Sequence, residues 1–185
     1  MTDADQLRRL LLERSVRRGD FVLSSGQHSS YYIDCRLSTM SAEGMVLIGR
    51  MGLAAIRAAG WRPRAVGGLT MGADPVAYAI AAASYGTELA IDAFSVRKEA
   101  KGHGTGRGIE GNFGAGDEVV VVEDVITTGA SAQRAISAIR EAGGVVAGVV
   151  AVVDREEGGR ALVESSGIEV VALTTASQIG LAQPA

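Results

Sequence analysis

One segment of the sequence combines two adjacent carboxylates with a run of small residues, and both could bind a ligand. Glu123 and Asp124 follow four consecutive valines, and residues 127–131 read Thr-Thr-Gly-Ala-Ser ahead of a helical pattern. Backbone N–H groups and hydroxyls at the start of a helix bind phosphate, which the helix dipole also favours. The carboxylates suit sugar hydroxyls or a divalent cation instead. The spacing favours an anion site beside a hydroxyl or metal site, although a capped, tight strand-to-helix turn would give the same pattern.

A second group is a concentration of cations in a glycine-rich stretch. Arg97, Lys98, Lys101 and His103 lie close together, and glycines continue to residue 116. Such a segment cannot pack a core. It is either a solvated loop or a mobile lid whose positive charge would neutralise a departing anion.

Three weaker features accompany these two. Arg155 follows a long valine-rich run, where its guanidinium could pair with a planar carboxylate or belong to an ordinary charged turn. Tyr31 and Tyr32 lie in a polar, hairpin-like segment, residues 21–38, which could equally be a surface ornament or a dimer contact. The glycines of residues 67–75 would serve either close backbone approach to a phosphate or tight strand-to-helix packing.

Short apolar runs are the elements that must position these residues. They cover residues 65–69, 89–94, 119–122, 145–153 and 170–173, and they are apolar nearly throughout, as in parallel strands buried on both faces. Helical patterns separate most of them. This alternation predicts one α/β domain, with a mainly parallel sheet flanked by helices and ligands at the carboxyl ends of the strands.

Two helices are predicted ahead of this sheet. Leucines at positions 7, 10 and 11 predict a helix over residues 4–17, capped at Thr2 or Asp3 and ending near Gly19. Ser41 is a second cap, and the helix after it ends at Gly60. One side of that second helix would carry Met45, Ile48, Gly52, Leu53 and Ile56.

Composition excludes several classes of protein. With 18 Lys+Arg against 21 Asp+Glu, the net charge of −3 gives no global field for nucleic acid, so any anion site must be local. The single cysteine, Cys35, excludes an intrachain disulfide and a multi-cysteine metal site, which indicates a cytoplasmic protein. The sequence also lacks a signal-peptide pattern, an apolar run long enough for a membrane helix, and the P-loop and dinucleotide fingerprints.

The segment from Val119 to Ser131 resembles the signature for 5-phosphoribosyl 1-diphosphate (PRPP) of the type I phosphoribosyltransferases. Residues 97–104, in the order Arg-Lys-Glu-x-Lys-x-His-Gly, are similar to the mobile catalytic loop of the orotate phosphoribosyltransferases. Residues 21–34 resemble that family's N-terminal hood, and the 67–75 turn and the Asp-Arg segment at 154–157 follow in its order. The resemblance covers residues 21–158.

The resemblance implies that the chain joins orotate to PRPP, giving orotidine 5′-monophosphate and diphosphate in pyrimidine synthesis. The expected catalytic residues are Lys101, Glu123 and Asp124. PRPP would also meet Met71, Gly72, Arg97, Lys98, His103, Val125, Ile126, Thr127, Thr128, Gly129, Ala130 and Ser131. Orotate would meet Tyr31, Tyr32, Thr127 and Arg155.

The resemblance further implies Mg²⁺ as cofactor, held mainly through PRPP and not by dedicated protein ligands. It implies a homodimer in which a loop of about residues 97–114 covers the neighbouring active site, while residues 1–40 form most of the hood. Ser24 and Gly72 replace lysines that some relatives carry. The rival interpretations are a PRPP-sensing regulator that binds nucleic acid, and a phosphoribosyltransferase for a purine base.

Overall fold

The structure is a computed structural model that describes residues 1–22, 28–98 and 108–181. Its helices are α1 (Asp3–Arg14), α2 (Arg36–Thr39), α3 (Ala42–Ala58), α4 (Ala73–Ser84), α5 (Ala130–Glu141) and α6 (Gly159–Glu164). Its strands are β1 (Val16–Val22), β2 (His28–Ile33), β3 (Ala65–Leu69), β4 (Asp92–Val96), β5 (Ile109–Gly111), β6 (Glu118–Ile126), β7 (Val145–Asp154) and β8 (Val170–Thr175).

Six strands of the described chain form the main sheet, in the order β5-β4-β3-β6-β7-β8. All neighbours pair in parallel except β4 and β5, which are antiparallel. The predicted α/β class and mainly parallel sheet are therefore confirmed. Strands β3 and β6 lie side by side at its centre, which brings the turns after both strands to the same edge.

Both faces of the sheet are buried, as the continuous apolar runs predict. Val120 and Val150 pack on one side with α1, α3 and α4, whereas Val121 and Val149 pack on the other side with α5 and α6. The alternation follows from the two-residue period of a strand. The strand ends are thereby fixed by packing on two sides.

The N-terminal segment departs from its prediction. Thr2 caps α1 as expected, accepting a hydrogen bond from the Asp5 N–H, but the helix ends at Arg14 and not near Gly19. The apolar stripe is complete at Leu11, and Val16 begins a strand that pairs antiparallel with β2. The hairpin therefore begins earlier than residue 21, because strand pairing overrides helix continuation.

Strand boundaries also shift. The run predicted at 89–94 forms a strand only from Asp92, which is the residue aligned with Ala65 of β3. The run predicted at 119–122 extends to Ile126, so the two acids are themselves part of β6. Strand β5 was not predicted, because three residues are too short to give a periodic signal.

The glycines at the end of β3 serve strand packing. A Cβ atom on Gly67 would lie 2.3 Å from the Phe94 carbonyl oxygen, and one on Gly68 would lie 2.2 Å from that of Val122. Neighbouring backbones fill the space, so no side chain fits there. Of the two explanations for these glycines, the structure supports close packing at these two positions.

Among the residues that the structure describes, no helix is long and apolar enough to cross a membrane.

Candidate active site

The loop between β6 and α5 leaves helix N–H groups available to an anion. Gly129 precedes the helix in a left-handed conformation, with φ of 79°, and has no side chain to cap it; Thr128 Oγ1 makes only a long contact, 3.5 Å from the Ala130 N. The first N–H groups of a helix have no acceptor within it, and they attract anions together with the helix dipole. Thr127, Thr128 and Ser131 border the same cleft, so their hydroxyls lie beside these N–H groups.

The start of α6 supports this loop from behind. The Gly159 N–H donates to the Thr127 carbonyl oxygen at 3.0 Å. A Cβ atom on Gly159 would lie 2.4 Å from that oxygen and 2.6 Å from the Gly129 nitrogen. Only a glycine allows the two backbones to meet this closely. Sequence reasoning missed Gly159, because it lies far along the chain from the loop that it supports.

The two acids of β6 occupy a low-dielectric position at the base of the cleft. Glu123 is 5% exposed, and its Oε1 has no hydrogen-bond partner among the described residues. Burial, with a smaller contribution from the Asp124 carboxylate, raises the pKa of Glu123 to about 8. Burial also raises the pKa of Asp124, although the Val125 N–H and the charge of Arg36 act in the opposite direction. The pair is poised to accept hydrogen bonds from a bound molecule's hydroxyls.

The buried Glu123 predicts a specific dependence of stability on pH. A carboxyl whose folded pKa exceeds its unfolded value stabilises the fold below about pH 4.5 and loses that contribution as pH rises to about 8. Glu123→Gln removes the titration, so its free energy of unfolding should exceed that of the parent by on the order of a few kcal/mol near pH 8. Chemical denaturation of the substrate-free protein at several pH values measures this difference.

The matched control for this measurement is Glu118→Gln, which changes an exposed carboxyl on the same strand. Other titrating groups cancel when each variant is compared with the parent. A Glu123→Gln difference that stayed constant from pH 4.5 to 8 would contradict the buried-acid description.

Arg155, directly after β7, is a buried cation held from three sides. It is 6% exposed, and its Nη2 lies 2.7 Å from Glu157 Oε1 and 3.3 Å from Ser29 Oγ. The guanidinium carbon lies 4.7 Å from the centre of the Tyr31 ring. These contacts hold the guanidinium where it borders the cleft, and its Nε has no hydrogen-bond partner among the described residues, which leaves it for a planar carboxylate.

The turn after β3 forms the opposite wall. Its Thr70–Met71 peptide bond is cis, and Met71 is 58% exposed. A Cβ atom on Gly72 would lie 2.5 Å from Asp124 Oδ1, so the glycine backbone packs directly on the carboxylate. Any side chain here would require the Asp124 carboxylate to shift.

The two described cations of the glycine-rich stretch have different surroundings. Lys98 borders the cleft, and its carbonyl oxygen accepts a 2.7 Å hydrogen bond from Arg134 Nη2 on α5. Arg97 turns instead to Glu110 of β5, with its Nε 3.0 Å from Glu110 Oε1. Strand β5 thus occupies part of the predicted 97–114 loop. Lys101 and His103 lie outside the described residues.

A cleft of about 640 Å³ unites most of the predicted site. Of the predicted residues, it is bordered by Tyr32, Met71, Gly72, Lys98, Glu123, Asp124, Val125, Thr127, Thr128, Ser131 and Arg155. Tyr31, Arg97, Ile126, Gly129 and Ala130 are not in its lining, and Tyr31 contributes by supporting Arg155. Residues that the sequence did not single out complete the wall, namely Ile33, Asp34, Cys35, Arg36, Leu69 and Thr70.

Comparison with known proteins agrees with this arrangement. A phosphoribosyl transferase domain model matches residues 44–171. Over 97% of the chain, the sequence is 47% identical to the orotate phosphoribosyltransferase of Aquifex aeolicus, of which it covers 98%. The chain belongs to the orotate phosphoribosyltransferase family.

Solved structures of this family share the fold. The Mycobacterium tuberculosis H37Rv orotate phosphoribosyltransferase in complex with PRPP is 39% identical, with a TM-score of 0.82 over 97% of this chain and 100% of that one. The Aeropyrum pernix orotate phosphoribosyltransferase is 37% identical, with a TM-score of 0.79 over 94% and 95%. The family assignment expected from the motifs is therefore confirmed over nearly the whole chain.

Proposed function

We propose that this chain transfers the 5-phosphoribosyl group from PRPP to orotate, giving orotidine 5′-monophosphate and diphosphate for pyrimidine synthesis. The observation that carries the proposal is one cleft in which the buried Glu123, the half-buried Asp124, a helix start without an N-cap side chain and a clamped arginine meet. Each feature matches one chemical part of the two substrates. The family membership of the chain supports the same reaction.

The PRPP end of the site lies on β6 and the loop after it. Glu123 and Asp124 accept hydrogen bonds from the ribose hydroxyls, and the loop of residues 127–131 surrounds the 5-phosphate with N–H groups and hydroxyls. The ribose is thereby fixed at both ends. This orientation leaves its anomeric carbon open to the base, and positioning of this kind supplies a large part of a transfer rate.

The orotate end lies between the hood and the segment after β7. Arg155 pairs with the orotate carboxylate, and the Thr127 hydroxyl is the second contact. Tyr31 holds the guanidinium from beneath, while the backbone beside Tyr32 borders the ring. A buried, fixed cation favours orotate over bases that lack a carboxylate.

Mg²⁺ fits this site as a companion of PRPP. Glu123 and Asp124 carry oxygen ligands of the kind that Mg²⁺ prefers, yet no cluster of three or more metal-ligating side chains occurs in the described parts of the chain. We therefore assign most of its coordination to the diphosphate and water. When bound, the ion offsets the negative charge of the leaving diphosphate.

We expect Lys101→Ala to lower kcat by about 100-fold or more, because the loop lysine neutralises charge that develops on the leaving diphosphate. The melting temperature should not change, since a lysine within a glycine-rich stretch of sequence does not build a core. Initial rates at saturating PRPP and orotate measure the effect. Near-normal turnover would contradict the catalytic role of this loop.

A patch of exposed apolar side chains supports assembly into a homodimer. Helices α2, α3 and α4 contact one another, and the members of the patch lie on these helices, directly after α2 or two residues before α4. The patch comprises Leu37, Met40, Met45, Val46, Met71 and Tyr78, each at least 38% exposed. Clustered apolar surface marks protein contacts. Because Met71 also borders the cleft, a second copy docked here would lie beside this active site.

Mixing two inactive variants tests this shared site. In random dimers of Lys101→Ala and Arg155→Ala chains, about half of the molecules are mixed, and each mixed dimer regains one intact site if the loop serves the neighbour. Roughly a quarter of the parent activity should return. A mixture that stays inactive, although the chains exchange, would contradict a loop that acts across the dimer.

The reaction itself is tested with a panel of bases. Orotate, uracil, adenine and hypoxanthine are each incubated with PRPP and Mg²⁺, and products are identified by mass. Only orotate should give its nucleotide efficiently. Turnover of a purine with orotate untouched would replace this proposal, and PRPP binding without any turnover would favour a regulator. We place the enzyme in the cytoplasm, where its one buried thiol, Cys35, stays reduced.

A further inference from the structure

Arg36 and Asp34 form a part of the cleft wall to which the reaction described above gives no role. They flank the turn between β2 and α2, and both border the cleft. Asp34 Oδ1 lies 2.8 Å from Arg36 Nε, and Asp34 Oδ2 lies 3.0 Å from Nη2. This two-point contact fixes the plane of the guanidinium.

The contact uses only one edge of the guanidinium. A planar arginine carries five N–H donors, and Asp34 occupies the edge formed by Nε and Nη2. Among the described residues, Nη1 has no hydrogen-bond partner, and the Arg36 side chain is 47% exposed. The second edge is therefore oriented and open to another anion. Phosphate oxygens match it because they can accept two parallel N–H bonds.

The position of Arg36 points to the diphosphate half of PRPP. Arg36 borders the cleft together with the Asp124 carboxylate. Gly72 packs on the same carboxylate from the turn after β3 and contributes no cation. Among the described residues, two other cations line the cleft. Arg155 is buried against Glu157, and Lys98 follows β4 and not the turn after β3.

We propose that Arg36 is a further substrate-binding residue that contacts the diphosphate of PRPP, with Asp34 as the residue that positions it. The inference rests on the proposed function, because it assumes that PRPP occupies this cleft. Arg36 would add a contact to the diphosphate from the hood side of the site. It would supply there a positive charge that Gly72, in the turn after β3, lacks.

Binding of two fragments of PRPP distinguishes a direct contact between Arg36 and the diphosphate from an effect that Arg36 exerts through Asp124. Calorimetry measures the affinity of the protein for Mg²⁺-diphosphate and, separately, for ribose 5-phosphate. Arg36→Gln should weaken diphosphate binding at least about 10-fold and change ribose 5-phosphate binding by less than about twofold. Arg36→Lys should recover only part of the loss, because an ammonium group cannot pair with two anions in one plane.

Arg64→Gln is the matched control. Arg64 is also an exposed arginine paired with an aspartate, at 2.6 Å from Asp92 Oδ2, but it precedes β3 at the opposite edge of the sheet. Its loss should leave both affinities unchanged. Thermal unfolding of each variant verifies that the fold is intact.

Unchanged diphosphate affinity in Arg36→Gln would overturn the inference. An equal loss for diphosphate and ribose 5-phosphate would also overturn it, since Arg36 would then act through Asp124. If the parent converts orotate while Arg36→Gln binds diphosphate normally, only this inference fails. If the parent binds no PRPP, both proposals fail. If it binds PRPP but ignores orotate, the reaction fails and the diphosphate measurement alone decides the role of Arg36.

Discussion

Arg155→Ala is expected to lower kcat/KM for orotate by about 100-fold or more, because the substrate carboxylate loses a charged, two-point partner. PRPP affinity should change by less than about threefold, since the side chain of Arg155 contacts Glu157, Ser29 and Tyr31 and not the phosphate loop. Preference for orotate over uracil, which has no carboxylate, should fall by a similar factor. Steady-state rates with each base, and calorimetry with PRPP, measure these quantities.

Removal of Arg155 also leaves Glu157 without its cation, so the folding of the variant must be checked separately. Arg155→Lys keeps the charge but not the planar fork, and should fall between the parent and Arg155→Ala in preference for orotate. Arg160→Ala is the matched control, because that exposed arginine pairs with Glu164 on α6 at 2.9 Å. An Arg155→Ala protein that retained its preference for orotate over uracil would contradict the assigned role.

Gly159→Ala is expected to weaken PRPP binding by about 100-fold, because a displacement of about 1 Å is enough to disturb a positioned site. The new methyl carbon would lie 2.4 Å from the Thr127 carbonyl oxygen and 2.6 Å from the Gly129 nitrogen. Both are backbone atoms of the phosphate loop, so the loop itself must move. Calorimetry with PRPP measures the loss.

Gly158→Ala provides a control of the same type one residue earlier. Gly158 has a φ of 87°, with nothing within 4 Å of an added Cβ atom. This substitution should cost about 1 kcal/mol of stability through backbone strain, while PRPP binding is retained. Equal PRPP affinities in the two variants would contradict the view that Gly159 sets the position of the loop.

Much of the fold follows from local pattern. The valine runs are long, apolar and separated by helical stripes, so both the parallel sheet and its buried faces are predictable. The predicted boundaries of helices and strands are wrong where pairing with a distant strand sets them. Val16 continues a helical pattern in sequence but joins β2 in the fold, and Asp92 begins β4 because Ala65 lies beside it.

The site likewise contains a part that the sequence predicts and a part that it does not. The sequence predicts the chemistry of Glu123, Asp124 and the loop after them, because these residues are neighbours in the chain. The support of Arg155 by Ser29 joins residues 126 positions apart, and the close approach of Gly159 to the phosphate loop is likewise non-local. Arg36 begins a helix of only four residues, which is too short to give a periodic signal. Such contacts are produced by the fold and cannot be inferred from spacing.

The most direct test of the account follows the ultraviolet absorbance of orotate in the presence of PRPP and Mg²⁺. Parallel reactions omit PRPP, omit Mg²⁺, or use the Arg155→Ala protein. Orotate should be consumed only in the complete reaction, and its consumption should be strongly reduced with the variant. Unchanged orotate in the presence of a folded parent protein that binds PRPP would contradict the proposed reaction.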